Sequence, residues 1–192
     1  MGKIRDIATM VTAFKLDYVK GFQSYNKAVS YAKQNYVKGS QLYRETLDKL
    51  NREFEKEKQE IMRKVNHDVH AVFGGVRGEI EKTVATLPTD HDRAIMGLLK
   101  DGNLLAEEKK ILAGQVSNTY FGQRELSAIM QTEFHPVGAY INKLDNTEKQ
   151  VLKALGYVFA DPDSPTVKLI EKGEYLGEIE DSMNEFLNQY KK

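Results

Sequence analysis

The apolar positions of the first 87 residues recur in steps of three and four. They run Ile4, Ile7, Val11, Phe14, Tyr18, Phe22, Tyr25, Val29, Ala32 and Tyr36, then Tyr43, Leu47, Leu50, Phe54, Ile61, Val65, Val69, Val72, Val76, Ile80, Val84 and Leu87. Such spacing is one face of an α-helix, and the first proline in the chain is Pro88. Drawn as a single helix, the stretch would extend about 130 Å at ~1.5 Å per residue. A mean step of about 3.6 favours a nearly straight helix over a tight left-handed supercoil.

The stripe differs in kind along its length. Over residues 3–37 it is broad and aromatic, flanked by Ala8, Met10, Ala13, Val19, Ala28, Tyr31 and Val37, and a broad face belongs in a packed bundle. Over 40–73 it narrows to a coiled-coil-like seam of Tyr43, Leu47, Leu50, Phe54, Ile61 and Val65 in a charged background. Glu57 and Lys64 interrupt the heptad, so the seam is short. Lys38-Gly39-Ser40 lies between the two segments. A glycine after a basic residue, then serine, has the chemistry of a helix stop and a new N-cap, which would make a helical hairpin. The unbroken phase from Tyr36 through position 40 to Tyr43 favours a continuous helix instead. Gly74, Gly75 and Gly78 are expected to mark a hinge or kink.

After Pro88 the pattern changes to short capped helices. Thr89-Asp90 opens one over 91–100, with Gly102 beyond its end. A second covers 104–117 with Leu105, Ile111, Leu112 and Val116 inward, and a third covers 123–133. Thr147-Glu148-Lys149-Gln150 reads as a capping box before Val151, Leu152 and Leu155. Residues 157–160 and 166–170 around D-P-D-S-P suggest one short β-hairpin. An acidic amphipathic helix, 174–190, closes the chain with Tyr175, Ile179, Met183, Phe186 and Leu187 inward. The expected fold class is therefore all-α: a long N-terminal helical region, 1–87, followed by a small helical domain, 88–192.

Composition narrows the function classes. The 192 residues carry 28 basic and 28 acidic side chains and no cysteine. Disulfides and thiolate sites are thus excluded. No window approaches a membrane span, and M-G-K-I-R-D has no apolar signal core, so an intracellular, cytoplasmic setting is expected. Asp6 stands where a myristoylation signal needs Ser or Thr. The zero net charge is unevenly spread. Residues 1–44 hold Lys3, Arg5, Lys15, Lys20, Lys27, Lys33, Lys38 and Arg44 against Asp6 and Asp17, a net of +6, whereas 67–192 hold 14 basic and 20 acidic residues, a net of −6. Such a dipolar chain can steer head-to-tail contacts or bring its basic end to an anion.

No catalytic signature stands out. His67, His70 and His91, with Asp92, are the weak candidates for a metal-dependent hydrolase, but neither Glu-x-x-His nor His-Glu-x-x-His occurs. Gly75-Val76-Arg77-Gly78 lacks the strands that accompany an RNA-clamping G-x-x-G. Phosphate loops and serine elbows are absent, so neither cofactor nor catalytic residue is assigned. The leading expectation is a non-enzymatic scaffold, adaptor or virion-like assembly component, with itself and other proteins of the assembly as partners. It would form homo-oligomers through Phe14, Tyr18, Phe22, Tyr25, Val29, Tyr36, Tyr43, Leu47, Leu50, Phe54 and Ile61, because a stripe that long must be covered. The alternative is a binding module whose basic helix, 3–37, docks on nucleic acid, an anionic membrane or a partner groove, with Lys15, Lys20, Lys27, Lys33 and Lys38 as anion contacts.

Overall fold

In the computed structural model, residues 3–101 and 103–190 are described, and the chain is all-α. The helices are α1 (Asp6–Asn35), α2 (Gln41–Val84), α3 (Asp90–Lys100), α4 (Ala106–Ala113), α5 (Tyr120–Met130), α6 (Val137–Val158), α7 (Pro165–Lys172) and α8 (Glu174–Gln189). They group into two compact units, each assembled from two stretches of chain: Met1–Val72 with Thr147–Glu178, and Phe73–Asn146 with Ile179–Lys192.

The first unit is organised by a helical hairpin, so the long stripe is two helices and not one. Gly39 takes φ +87°, the left-handed conformation that glycine adopts without strain. The Ser40 hydroxyl then accepts from the Tyr43 amide at 3.2 Å, capping α2. The unbroken phase across the turn was uninformative, because each helix points its own apolar face inward. Two independent faces share a phase by chance about one time in four, given ~3.6 positions per turn. The antiparallel register sets Tyr25 against Asn51, their side chains hydrogen-bonded at 2.5 Å. Gly21 faces Glu57, whose carboxylate would lie 3.4 Å from a Cβ there. Further along, Met10, Phe14 and Asp17 lie alongside Ile61, Val65 and Asp68.

Aromatic rings fill the seam of the hairpin. Phe54 lies 4.7 Å from Tyr25, 5.9 Å from Phe22 and 6.2 Å from Tyr18, centroid to centroid. Tyr18 also meets Phe159 edge-on at 4.9 Å and donates its hydroxyl to the Phe159 carbonyl at 3.2 Å. Phe14 is buried against the same ring at 5.6 Å. Helix α7 packs on α1. Its Val167 and Ile170 are buried, and the closing Gly173, at φ +73°, brings its backbone close to the Ala8 methyl.

Residues 157–170 form no β-hairpin. The first part ends α6 in a turn, with the amides of Ala160 and Asp161 bonded to the Tyr157 carbonyl, and the second is α7. D-P-D-S-P supplies a helix start, because Ser164 accepts from the Val167 amide and Pro165 takes the first helical position. Thr147 starts no helix either. Helix α6 begins ten residues earlier, where the Tyr120 hydroxyl accepts from the Val137 amide at 2.9 Å. Thr147 is buried mid-helix with its hydroxyl 3.1 Å from that of Tyr175.

The second unit has its own core. Ile95, Met96, Leu99 and Val116 pack together with Leu112, Ala113, Leu126 and Ile129 against them. A ring cluster joins Tyr120 to Phe134, Phe186 and Tyr190, and Tyr140 to Phe186. Burial and the neighbouring hydroxyls of Tyr120 and Tyr140 push the Tyr190 phenol above its ordinary range. Helix α4 is shorter than expected, and Leu105 and Ile111 lie exposed rather than inward. The expected C-terminal glycine of α3, Gly102, lies outside the described residues.

The turn and the interior of α2 make opposite demands on their glycines. Gly39→Ala should lower the unfolding free energy by about 1 kcal/mol, since alanine strains at positive φ. Gly74→Ala should raise it by ~0.5–1 kcal/mol, because Gly74 is helical with open space at its Cβ. Phe54→Ala should cost about 2 kcal/mol, less than a fully buried ring, because Phe54 is half-buried. Urea unfolding followed by circular dichroism measures all three. Equal effects at Gly39 and Gly74 would contradict the turn assignment.

Candidate interaction surface

The residues expected to bind other copies also make contacts within the chain. Phe14 is buried, and Tyr18, Tyr25, Val29, Tyr36, Tyr43, Leu47, Leu50, Phe54 and Ile61 are half-buried. Of the set, Phe22 keeps an exposed ring. The cover for the stripe comes from the second half of the hairpin and from Phe159, because the turn at Gly39 folds the stripe onto itself.

The opposite face of the hairpin is left to its charges. From Tyr18 to Arg44 the sequence contains Lys20, Lys27, Lys33, Lys38 and Arg44 and no acidic residue. All five cations are exposed. Among the described residues none of the five takes part in an ion pair. Lys15 departs from the expected set of anion contacts. Its ammonium is committed to Asp163 at 3.0 Å and Glu171 at 3.2 Å, tying α1 to α7 and the loop before it. The hydrogen bond it donates to Asp163 is the main reason its pKa is raised, outweighing the opposing effect of burial and supported by Glu171. Around the turn the cations stand beside exposed apolar side chains: Tyr31 is 63%, Val37 79% and Leu42 57% accessible. Arg44, Val37 and Leu42 escaped the sequence reading as a group. The stripe criterion selects inward positions, whereas this surface is built from the outward ones and the turn.

The histidines are placed differently from what a metal centre needs. His70 donates to or accepts from Glu148 at 2.6 Å, while His67 is exposed, 3.5 Å from its neighbour Asp68. Both line an open groove of about 570 Å³ in the first unit with Lys58, Met62, Arg63 and Phe159. His91 is an exposed residue in the first turn of α3, in the second unit. Among the described residues no three His, Asp or Glu side chains gather as a metal would require. Asp92, the carboxylate proposed to join them, is otherwise engaged. It is buried, accepting from the Thr89 amide and hydroxyl at 2.7 Å each and from the Ser117 amide and hydroxyl at 2.6 Å each. Burial alone would raise its pKa, yet the bonds from Ser117 and Thr89 outweigh that and hold the carboxyl well below its ordinary range. Gly122 sits over the same corner, where a Cβ would fall 2.7 Å from the Thr119 hydroxyl. Gly74, Gly75 and Gly78 lie within α2, which continues as helix through all three.

No protein-family model matches the chain, and neither a curated protein nor a solved structure is significantly similar to it.

Asp92 is thus a structural brace, and its titration has a definite sign. A carboxyl whose folded pKa is depressed contributes stability above its unfolded value, about 3.9, and that contribution fades as pH falls below it. Asp92→Asn should lower the unfolding free energy by about 2 kcal/mol at pH 7, because buried donors lose an ionised acceptor. The gap between the two proteins should narrow at pH 3. Denaturant titrations at both pH values check this, and an equal gap at both would show that the charge does not matter.

Proposed function

We propose that this protein is a non-catalytic binding module that engages an anionic partner through the basic end of the α1–α2 hairpin. The observation that supports the reading is the run from Tyr18 to Arg44, with five exposed cations, no acidic residue and no ion pair among the described residues. Surface cations on soluble helices are commonly interleaved with acids that screen them. Here the neighbouring stretch, 45–66, is so interleaved, with six of each sign. Along the chain the basic end is thus a run of one sign, the arrangement that steers an anion and accelerates its encounter, although the antiparallel register brings acidic residues of α2, Glu57 beside Gly21 among them, next to it. The folded seam adds rigidity, because the aromatic contacts hold the cations on paired helices.

A second reading, assembly with further copies of the chain, draws support from α3 and α4. Leu98 and Ile111 are exposed on those two helices and Leu105 at the cap of α4, and large exposed apolar side chains on neighbouring helices are typical of protein contacts. Light scattering of the wild type and of Leu105→Asp/Ile111→Asp separates the readings. A higher mass that falls to monomer in the variant favours assembly.

Heparin serves as a soluble polyanion for the primary reading. Binding should weaken about 10²-fold between 50 and 200 mM salt if four cations are engaged. Lys27→Gln/Lys33→Gln/Lys38→Gln/Arg44→Gln should remove most of the affinity without changing the melting temperature, since all four side chains are exposed. Salt-independent binding, or binding untouched in the variant, would contradict the proposal.

A further inference from the structure

We infer that the anionic partner is a lipid bilayer surface, and that the turn of the hairpin inserts into its headgroup region. The inference rests on the anion-binding reading and adds the apolar side chains to it. Val37 lies in the turn itself, Leu42 is in the first turn of α2 and Tyr31 is in the last turns of α1, and all three are exposed. Lys33, Lys38 and Arg44 alternate with them through the same 14-residue span, Tyr31 to Arg44. Cations alone would suit a nucleic-acid backbone, but they leave exposed Val37 and Leu42 without a use there. A protein partner would need a concave apolar pocket rimmed with acids to receive a convex turn. A bilayer interface takes a convex tip without a matching shape. Aliphatic side chains enter the acyl boundary, a tyrosine settles at headgroup depth, and lysine and arginine meet anionic headgroups.

The surrounding chemistry agrees with peripheral attachment. Among the described residues, no helix is long and apolar enough to cross a membrane. Most of the apolar stripe of the hairpin is folded inward around Phe54, and the turn and the flanking helix ends carry the hairpin's most exposed large apolar side chains, ahead of Leu16 and Phe22. With three apolar side chains and three cations at the tip, attachment is reversible and depends on the anionic fraction of the lipid, as for other small interfacial anchors.

The chain contains no tryptophan, so Val37→Trp in the full-length protein places a single reporter at the tip. Mixed with phosphatidylcholine vesicles containing phosphatidylglycerol, its emission should shift to the blue and be quenched by brominated acyl chains. Vesicles of phosphatidylcholine alone should give neither effect. Val37→Ser/Leu42→Ser should weaken co-sedimentation with the anionic vesicles about tenfold while leaving heparin binding and the melting temperature as in the wild type. Three results would overturn the inference. If heparin is bound but the reporter stays in water with anionic vesicles, the anion-binding reading stands and the lipid is wrong. If neither is bound, both fall. An equal blue shift on neutral vesicles would also overturn it, because the cations would then play no part.

Discussion

The meeting of four rings at Phe54 is the contact on which the rest of the first unit depends. Tyr18, Phe22 and Tyr25 come from α1 and Phe54 from α2. Isolated helices of this charge density are marginal in water, and their persistence comes from tertiary cover of one face. The aromatic seam supplies that cover within a single chain, provided the chain can reverse between Tyr36 and Ser40. Gly39 makes the reversal cheap and Ser40 restarts the helix. With the apolar faces turned together, Lys20, Lys27 and Lys33 of α1 are left outward. Their exposure is a consequence of the fold rather than a separate feature.

Charges in this protein fall into two contrasting groups. Among the described residues Asp92 is buried without a cation, and it is stable as an anion because four donors from Thr89 and Ser117 surround it. Lys15 is partly buried and is matched by two carboxylates. Both are engaged inside their own units. Lys20, Lys27, Lys33, Lys38 and Arg44 are the reverse, exposed and without an ion pair among the described residues. A cation in water is stable unaided, so structural need does not explain a run of five with no acid among them. That asymmetry carries the functional reading.

Much of the architecture was legible in the sequence. The three-four spacing placed α1 and α2, Thr89 marked the start of α3, and the inward face of α8 was read from Ile179, Met183, Phe186 and Leu187, all of which are buried. The chemistry of Gly39-Ser40 was legible too, but it competed with a phase argument that has no power across a turn. The start of α6 was hidden because its cap is a tertiary group, the Tyr120 hydroxyl, 17 residues away. Leu105 and Ile111 were read inward because apolar character was equated with burial, and exposed leucines are common. The basic patch was half visible. Its lysines were identified, but Lys15 could be separated from the others only once Asp163 and Glu171 had been brought to it by the folding of α7.

The central claim is that the stripe is consumed within the chain and the basic end of the hairpin is the working surface. Amide hydrogen exchange of the full-length protein with and without heparin tests it most directly. The account predicts slower exchange confined to residues 27–44 on adding the polyanion, with no change in α3, α4 or around Asp92. Protection centred on α3 and α4, or none in 27–44, would contradict it.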